Sequence, residues 1–197
     1  MHEEDRSLIQ AFQSGDDFAF VSIYNRHRSA VYTFCLKMLL DRDGAQDVMQ
    51  ETFLRVYENR NRLLNAGSFR AWLFTIARNQ CLNTLRRDRR NVPLDPEDES
   101  VLALPEASLS RMEANEEIDR VNEFLIRLKD EYREVLILRE YQNLSYEEIA
   151  AITRSTVSAV KSRLFKARRK LAAMTEDGDR EEDRLRQSPA GTRISQP

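Results

Sequence analysis

The chemistry legible in this sequence is that of binding. Between Thr153 and Leu171 stand seven basic residues and no acidic one. On a helix that starts after Thr156, at 100° per residue, Val157, Val160, Leu164, Ala167 and Leu171 fall within about 80° of one another. That stripe predicts the packed side. Ser158, Ser162, Phe165, Lys166 and Arg169 fall on the opposite side, flanked by Lys161 and Arg163. An aromatic ring among cations, away from the apolar stripe, suits a nucleic-acid surface. Lys and Arg meet phosphates and guanine acceptors, and the ring meets a thymine methyl. A plain solvated basic helix is the competing reading, and the residues in front of it argue against that. Ser145 and Glu148 have capping-box spacing and open a short helix that ends near Thr153. Thr156 then caps the next helix. Two helices on so short a turn form a helix-turn-helix, whose second helix enters the major groove.

A second candidate surface lies between Phe69 and Arg90, which holds six arginines and one acid, Asp88. Trp72, Thr75, Asn79, Asn83 and Arg86 recur at three- and four-residue steps. An aromatic platform with amide edges and a charge is what holds unstacked bases of a single strand. Arg70, Arg78 and Arg87 add cations to this segment, and Ser68 can cap its helix. The polar loop before it, Asn59–Ser68 with Asn65, offers room for a flipped base. Trp72 read alone is more often a core residue.

The third surface differs in charge. Asp47, Glu51 and Glu58 share a helix with Gln50 and Arg55. Acids repel DNA, so this face suits a protein partner, with a solvated face as the alternative. No paired carboxylates, phosphate loop or nucleophile–base arrangement is readable, so an enzyme is not expected. The two His and two Cys have no zinc-ligand spacing, and no cofactor is expected. Cys35 and Cys81 sit in apolar helical contexts, which predicts buried free thiols. The N-terminus lacks a secretory pattern and no apolar run reaches membrane-spanning length, so a cytoplasmic protein is expected.

These surfaces need helices to carry them. Charged residues make up 32% of the chain while Gly and Pro number five each, which favours helices over strands and turns. The periodicity predicts an all-α fold: two small helical domains joined by an acidic linker, the second a three- to four-helix domain with the helix-turn-helix. Helices are expected over about 4–13, 16–40, 45–59 and 68–87, with a turn at Asp41–Gly44. The domains are expected at 1–90 and 115–172. The linker, 91–114, contains Pro93, Pro96 and Pro105 among acids. The polar segment 173–197 reads as a disordered tail.

Several of these segments resemble a known family. Ala45–Tyr57 looks like the polymerase-binding region-2 motif of the sigma-70 family. Phe69–Asn79, followed by Leu82-Asn83-Thr84-Leu85-Arg86-Arg87, looks like its −10-recognition segment. Leu144–Leu171 resembles its region-4 helix-turn-helix. The order, the acidic linker and the absence of a middle domain resemble the extracytoplasmic-function (ECF) class. The resemblance implies a transcription initiation factor that binds core RNA polymerase, through the β′ clamp helices and the β flap, and promoter DNA, both double- and single-stranded. It implies that Asp47, Val48, Gln50, Glu51, Leu54 and Arg55 meet the clamp helices. Asn65, Ser68, Arg70, Trp72, Arg78, Asn79, Asn83, Arg86 and Arg87 would hold the −10 element. Thr156, Ser158, Lys161, Ser162, Arg163, Phe165, Lys166 and Arg169 would read the −35 element. The linker would run through the polymerase's active-site and RNA-exit channels. An anti-sigma protein is implied as a regulator, and no membrane insertion.

The chain departs from that family in two places. Asn83 stands where Asp is common. Thr153-Arg154-Ser155 replaces an apolar-Gly-apolar turn, and losing the Gly predicts a longer or looser corner. A stand-alone helix-turn-helix repressor or activator is the rival reading. It leaves Asp47–Tyr57 unexplained.

Overall fold

The computed structural model describes residues 3–62, 69–91 and 116–187, and every regular element among them is helical. The first half holds α1 (Glu3–Gln13), α2 (Asp17–Leu39), α3 (Arg42–Glu58), a 3-10 turn (Arg60–Arg62) and α4 (Phe69–Asn91). The second holds α5 (Glu116–Arg127), α6 (Asp130–Glu140), α7 (Tyr146–Thr153) and α8 (Val157–Gln187). The expected Asn65 and Ser68, residues 92–114 of the expected linker and the end of the tail, 188–197, lie outside the described residues.

Capping fixes the helix starts that matter. The Asp16 side chain accepts from the N–H groups of Phe18 (2.9 Å) and Ala19 (3.3 Å) and so opens α2. At its other end Leu40 turns left-handed, φ 58°, and its N–H returns to the Leu36 carbonyl. The expected turn at Asp41–Gly44 is corrected here. Only Asp41 is outside a helix, and its carboxylate accepts from the N–H groups of Asp43 and Gly44, so α3 begins at Arg42. Gly44 suits this cap for a steric reason: a Cβ there would stand 2.6 Å from Asp41 Oδ2.

Aromatic rings knit the first half together. Phe12 stacks on Phe20 (5.3 Å between centroids), Phe20 meets Tyr57 edge-on (5.1 Å), Tyr24 meets Phe53 (4.9 Å) and Phe34 meets Phe74 (5.6 Å). These contacts join α1 to α2, α2 to α3 and α2 to α4. In the second half, α6 is buried along Arg133–Leu138, between α2 on one side and α8 on the other. One apolar core therefore runs through both halves.

The two halves also meet through polar groups. Arg133 donates to the carbonyl of Met38 in the last turn of α2 (2.8 Å), and to Ile126 and Leu128 at the end of α5 (3.1 and 3.2 Å). One guanidinium fork so satisfies orphan carbonyls on two helices. Gln142 Nε2 donates to the Ala30 carbonyl (3.1 Å). Lys37 Nζ donates to Asn122 (3.1 Å) and lies 5.4 Å from the Tyr141 ring centroid. Burial lowers the pKa of Lys37.

The disordered-tail reading of 173–197 is corrected over its first part, because α8 continues to Gln187. The sequence there puts acid four residues before base at Glu176/Arg180 and Glu182/Arg186. That spacing favours a helix and offsets part of the cost of Gly178.

Candidate nucleic-acid interface

The helix-turn-helix is built as its caps require. Ser145 Oγ accepts from the Glu148 N–H (3.1 Å), and the Glu148 carboxylate accepts from the Ser145 N–H (2.7 Å). Arg139, from α6, donates to the Leu144 carbonyl (2.7 Å) and lies over the Tyr146 ring, anchoring the start of α7. The longer or looser corner is not what forms. Three residues, Arg154–Thr156, separate the helices. Arg154 takes the left-handed position itself (φ 51°, ψ 46°), and the Ser155 N–H donates back to the Ala150 carbonyl at 2.9 Å. Thr156 Oγ1 accepts from the Ala159 N–H (3.1 Å) and caps α8.

On α8, Val160, Leu164 and Ala167 are buried, while Leu171, expected in the same stripe, is 37% exposed. Thr156, Ser158, Lys161, Ser162, Lys166 and Arg169 are exposed, and Phe165 is 65% exposed. A ring of that size left in water on a cationic face is the informative observation, since core packing claims most phenylalanines. Lys161 lies 5.6 Å from the Tyr146 ring centroid, which holds its ammonium near the corner. Arg163 is the exception. It is half-buried and paired with Glu131 of α6 at 3.3 Å. Arg168 pairs with Glu140 at 2.6 Å, a hydrogen bond that raises its pKa, so it belongs to the α6–α8 contact.

On α4 the expected stripe divides. Asn83, Arg86 and Arg87 are exposed, and with Arg90 they line a concavity of about 400 Å³. Asn79 is half-buried. Trp72 is half-buried against Phe69 (6.1 Å between centroids), so part of its ring belongs to the core. Thr75 spends its hydroxyl on the Ala71 carbonyl at 2.7 Å. Two of the residues expected at the −10 element are engaged within the chain. Arg70 donates to the Gln142 carbonyl and lies over the Phe74 ring. Arg78 forms a two-bond pair with Glu134 of α6, Nε to Oε2 at 2.6 Å and Nη2 to Oε1 at 3.1 Å. The reason is that α6 and α7 pack against α2 and α4 and bring acceptors to this face.

On α3, Asp47, Gln50, Leu54 and Arg55 are exposed and Glu51 is half-buried. Glu51 and Arg55 pair at 2.7 Å, one turn apart. Val48 is 7% exposed: it packs on the core and also lines the floor of the groove between α3 and α4. A groove of about 410 Å³ runs between Asp47, Glu51 and the α4 residues Gln80, Asn83, Thr84 and Arg87. The acidic and basic faces therefore share an edge.

Cys35 and Cys81 are buried free thiols, as expected. Sequence reading missed that they meet: a hydrogen bond between the two thiols, with burial, raises the pKa of Cys81 well above its ordinary value. Among the described residues no group of three or more His, Cys, Asp or Glu is placed to hold a metal ion. No helix among them is long and apolar enough to cross a membrane.

Comparison with known proteins gives this geometry a context. Residues 23–91 match the family described as Sigma-70 region 2, and residues 118–171 match Sigma-70, region 4. The RNA polymerase sigma-H factor of Pseudomonas aeruginosa is 32% identical over 179 residues, spanning 84% of this chain and 91% of its own. The ECF RNA polymerase sigma factor SigW of Bacillus subtilis is 29% identical, spanning 87% and 97%. Among solved structures, CnrH in complex with the cytosolic domain of CnrY aligns with a TM-score of 0.68 at 27% identity, over 88% of this chain and 97% of that one. The sigma factor RpoE in complex with the anti-sigma factor NepR, from Bartonella quintana, aligns with 0.64 at 26% identity, over 80% and 96%.

Proposed function

The chain belongs to the sigma-70 family, in its ECF class, as a transcription initiation factor that directs core RNA polymerase to promoters, and we propose the following division of its surfaces. The outer face of α3, with Asp47, Gln50, Glu51, Leu54 and Arg55, docks on the β′ clamp helices. The second domain meets the β flap. On α4, Asn79, Asn83 and Arg86, with Trp72 and Arg87, hold the non-template strand of the −10 element. On α8, Ser158, Lys161, Ser162, Phe165, Lys166 and Arg169 read the −35 duplex, with Thr156 at the start of the helix.

The single observation behind this reading is Phe165. It stands 65% exposed on a cationic helix face, opposite the buried Val160, Leu164 and Ala167. The mechanism needs no bond-making step. Cations on both faces bind phosphates, an interaction that weakens with salt. A base unstacked near the start site is then trapped on α4, at a cost of a few kcal/mol. Tethering both domains to polymerase raises the effective concentration of each weak contact. Such work is done where polymerase is, in the cytoplasm. Two of the solved relatives are held by CnrY and by the anti-sigma factor NepR, which supports an anti-sigma partner for this chain too.

The test is transcription in vitro with core polymerase on a library of templates. Added chain should create new start sites, and Phe165→Ala should weaken those that depend on an upstream element. Start sites unchanged by Phe165→Ala, Lys161→Ala and Asn83→Ala together would remove the residue assignment.

A further inference from the structure

We infer that Arg154 is a DNA contact in its own right: from the corner of the helix-turn-helix its guanidinium meets a phosphate of the duplex that α8 reads, whatever the bases there. This rests on the assignment of α8 proposed above.

Arg154 holds a backbone conformation that its residue type does not favour. Its φ of 51° and ψ of 46° lie in the left-handed region, where any Cβ is crowded and glycine is cheapest. Leu40 and Asn143 are the other described non-glycine residues with positive φ, and each has a local reason. Leu40 is buried, so apolar packing holds it. Asparagine visits this region readily because its short polar side chain bonds locally. Arg154 is exposed, and among the described residues its guanidinium makes no hydrogen bond, ion pair or ring contact. The corner is held by the main chain and by neighbouring hydroxyls. The N–H groups of Arg154 and Ser155 donate to α7 carbonyls, and the Thr153 and Ser155 hydroxyls lie 2.8 Å apart. A glycine would make the same backbone bonds without the strain. Folding therefore gives no reason for a long cation here, and strain kept without a structural return points to function.

The position suits a backbone contact. Arg154 stands two residues before Thr156, the cap of α8, at the positive end of that helix. The first residues of a recognition helix meet base edges, so a long side chain just ahead of them reaches the flanking phosphates. Fewer cations of α8 are free for that task than its sequence suggests. Arg163 and Arg168 are paired with Glu131 and Glu140, and Lys161 lies near the Tyr146 ring. Lys166 and Arg169 are exposed farther along. From Thr156 to Lys166 the helix rises about 15 Å, and the major groove is about 12 Å wide. Arg154 thus supplies a cation at one edge of the groove and Lys166 at the other. A guanidinium fork also meets phosphate oxygens with two parallel bonds. Arginine at this corner lowers stability and raises affinity, and the opposite signs make the role testable.

The experiment is filter binding of a promoter fragment, found with the template library, to polymerase carrying the full chain, at salt from about 50 to 200 mM. Arg154→Gln keeps the Cβ and loses the charge, Arg154→Lys keeps both, and Arg154→Gly loses both. The Gln and Gly variants should bind roughly three- to tenfold more weakly at the low-salt end. Their plots of log affinity against log salt should be shallower by about one. Arg154→Lys should keep the parent slope. The loss should be the same on fragments that differ only in the bases of the upstream element. Arg154→Gly should bind more weakly while melting higher, which a merely structural role would not produce. Parent affinity and slope in the Gln and Gly variants overturn the proposal, and so does a loss that depends on the bases. So does an equal loss from Lys170→Gln, which removes the same charge from an exposed position far along α8. Phe165→Ala in the same assay separates the two readings. Weaker binding by Phe165→Ala with no effect of Arg154→Gln removes the phosphate contact and leaves the −35 assignment standing. A shallower slope for Arg154→Gln with no effect of Phe165→Ala and Lys161→Ala together removes the base-reading assignment and leaves the phosphate contact standing.

Discussion

Thr153 Oγ1 and Ser155 Oγ lie 2.8 Å apart across the corner of the helix-turn-helix, with Arg154 in left-handed conformation between them. Thr153 is also bonded to the Ile149 carbonyl at 2.8 Å, so the hydroxyl pair ties the corner to α7. This small polar brace replaces the apolar plug common in the family and explains why the corner stays short. It does not remove the cost of a Cβ at φ 51°.

Arg154→Gly should therefore stabilise the protein. A side chain in the left-handed region costs about 1–2 kcal/mol, partly offset by the extra freedom glycine gains when unfolded. The expected gain of about 1 kcal/mol corresponds to a rise in Tm of roughly 2–4 °C for a chain of this size. Thermal unfolding followed by circular dichroism measures it. A fall in Tm would mean that the Arg154 side chain contributes more than its backbone costs.

Phe165→Ala separates recognition from folding. The ring is 65% exposed, so its removal should leave Tm unchanged within error. Loss of an apolar contact with a base edge should cost about 1 kcal/mol of duplex binding, roughly fivefold, at promoters that use it. Transcription on matched templates with and without the upstream element reads this. An equal loss on both would place Phe165 outside sequence recognition.

Much of this architecture was legible in the sequence because local signals agreed. The Ser145/Glu148 box, the cap at Thr156 and the apolar stripe Val160/Leu164/Ala167 each depend on residues a few positions apart, and each formed. The readings that changed were those decided by distant partners. Nothing near Arg78 announces Glu134, 56 residues on, and nothing near Arg70 announces Gln142. Arg133 reads as one more charge in a polar helix, yet it is buried at 4% exposure with its fork on α2 and α5. Helix α8 outran its predicted end because charge spacing supports a helix without any apolar face to reveal it.

On α3, Leu54 is 52% exposed beside the Glu51–Arg55 pair. An apolar side chain ringed by charge is the usual centre of a docking face. Leu54→Asp should weaken binding to core polymerase by about 2 kcal/mol, roughly thirtyfold, while leaving Tm close to the parent value. Titration of labelled core enzyme measures it. Undiminished affinity would move the docking face away from α3.

The pH dependence of stability reports on Glu134. Burial raises its carboxyl pKa, the hydrogen bond and charge of Arg78 and the charge of Arg163 pull it back, and Asp130 adds to the rise. A folded-state pKa above the unfolded one means that the folded chain holds this proton more tightly. The stability that Glu134 contributes is then complete below the ordinary carboxylate value and is lost as pH rises through the raised one. Glu134→Gln removes the titration while keeping the shape. Other carboxylates titrate in both proteins, so the difference in Tm between parent and variant isolates this group. That difference should fall with rising pH just above the ordinary carboxylate range and be flat near neutrality. A difference that rises with pH across the same window would mean that attraction to Arg78 outweighs burial.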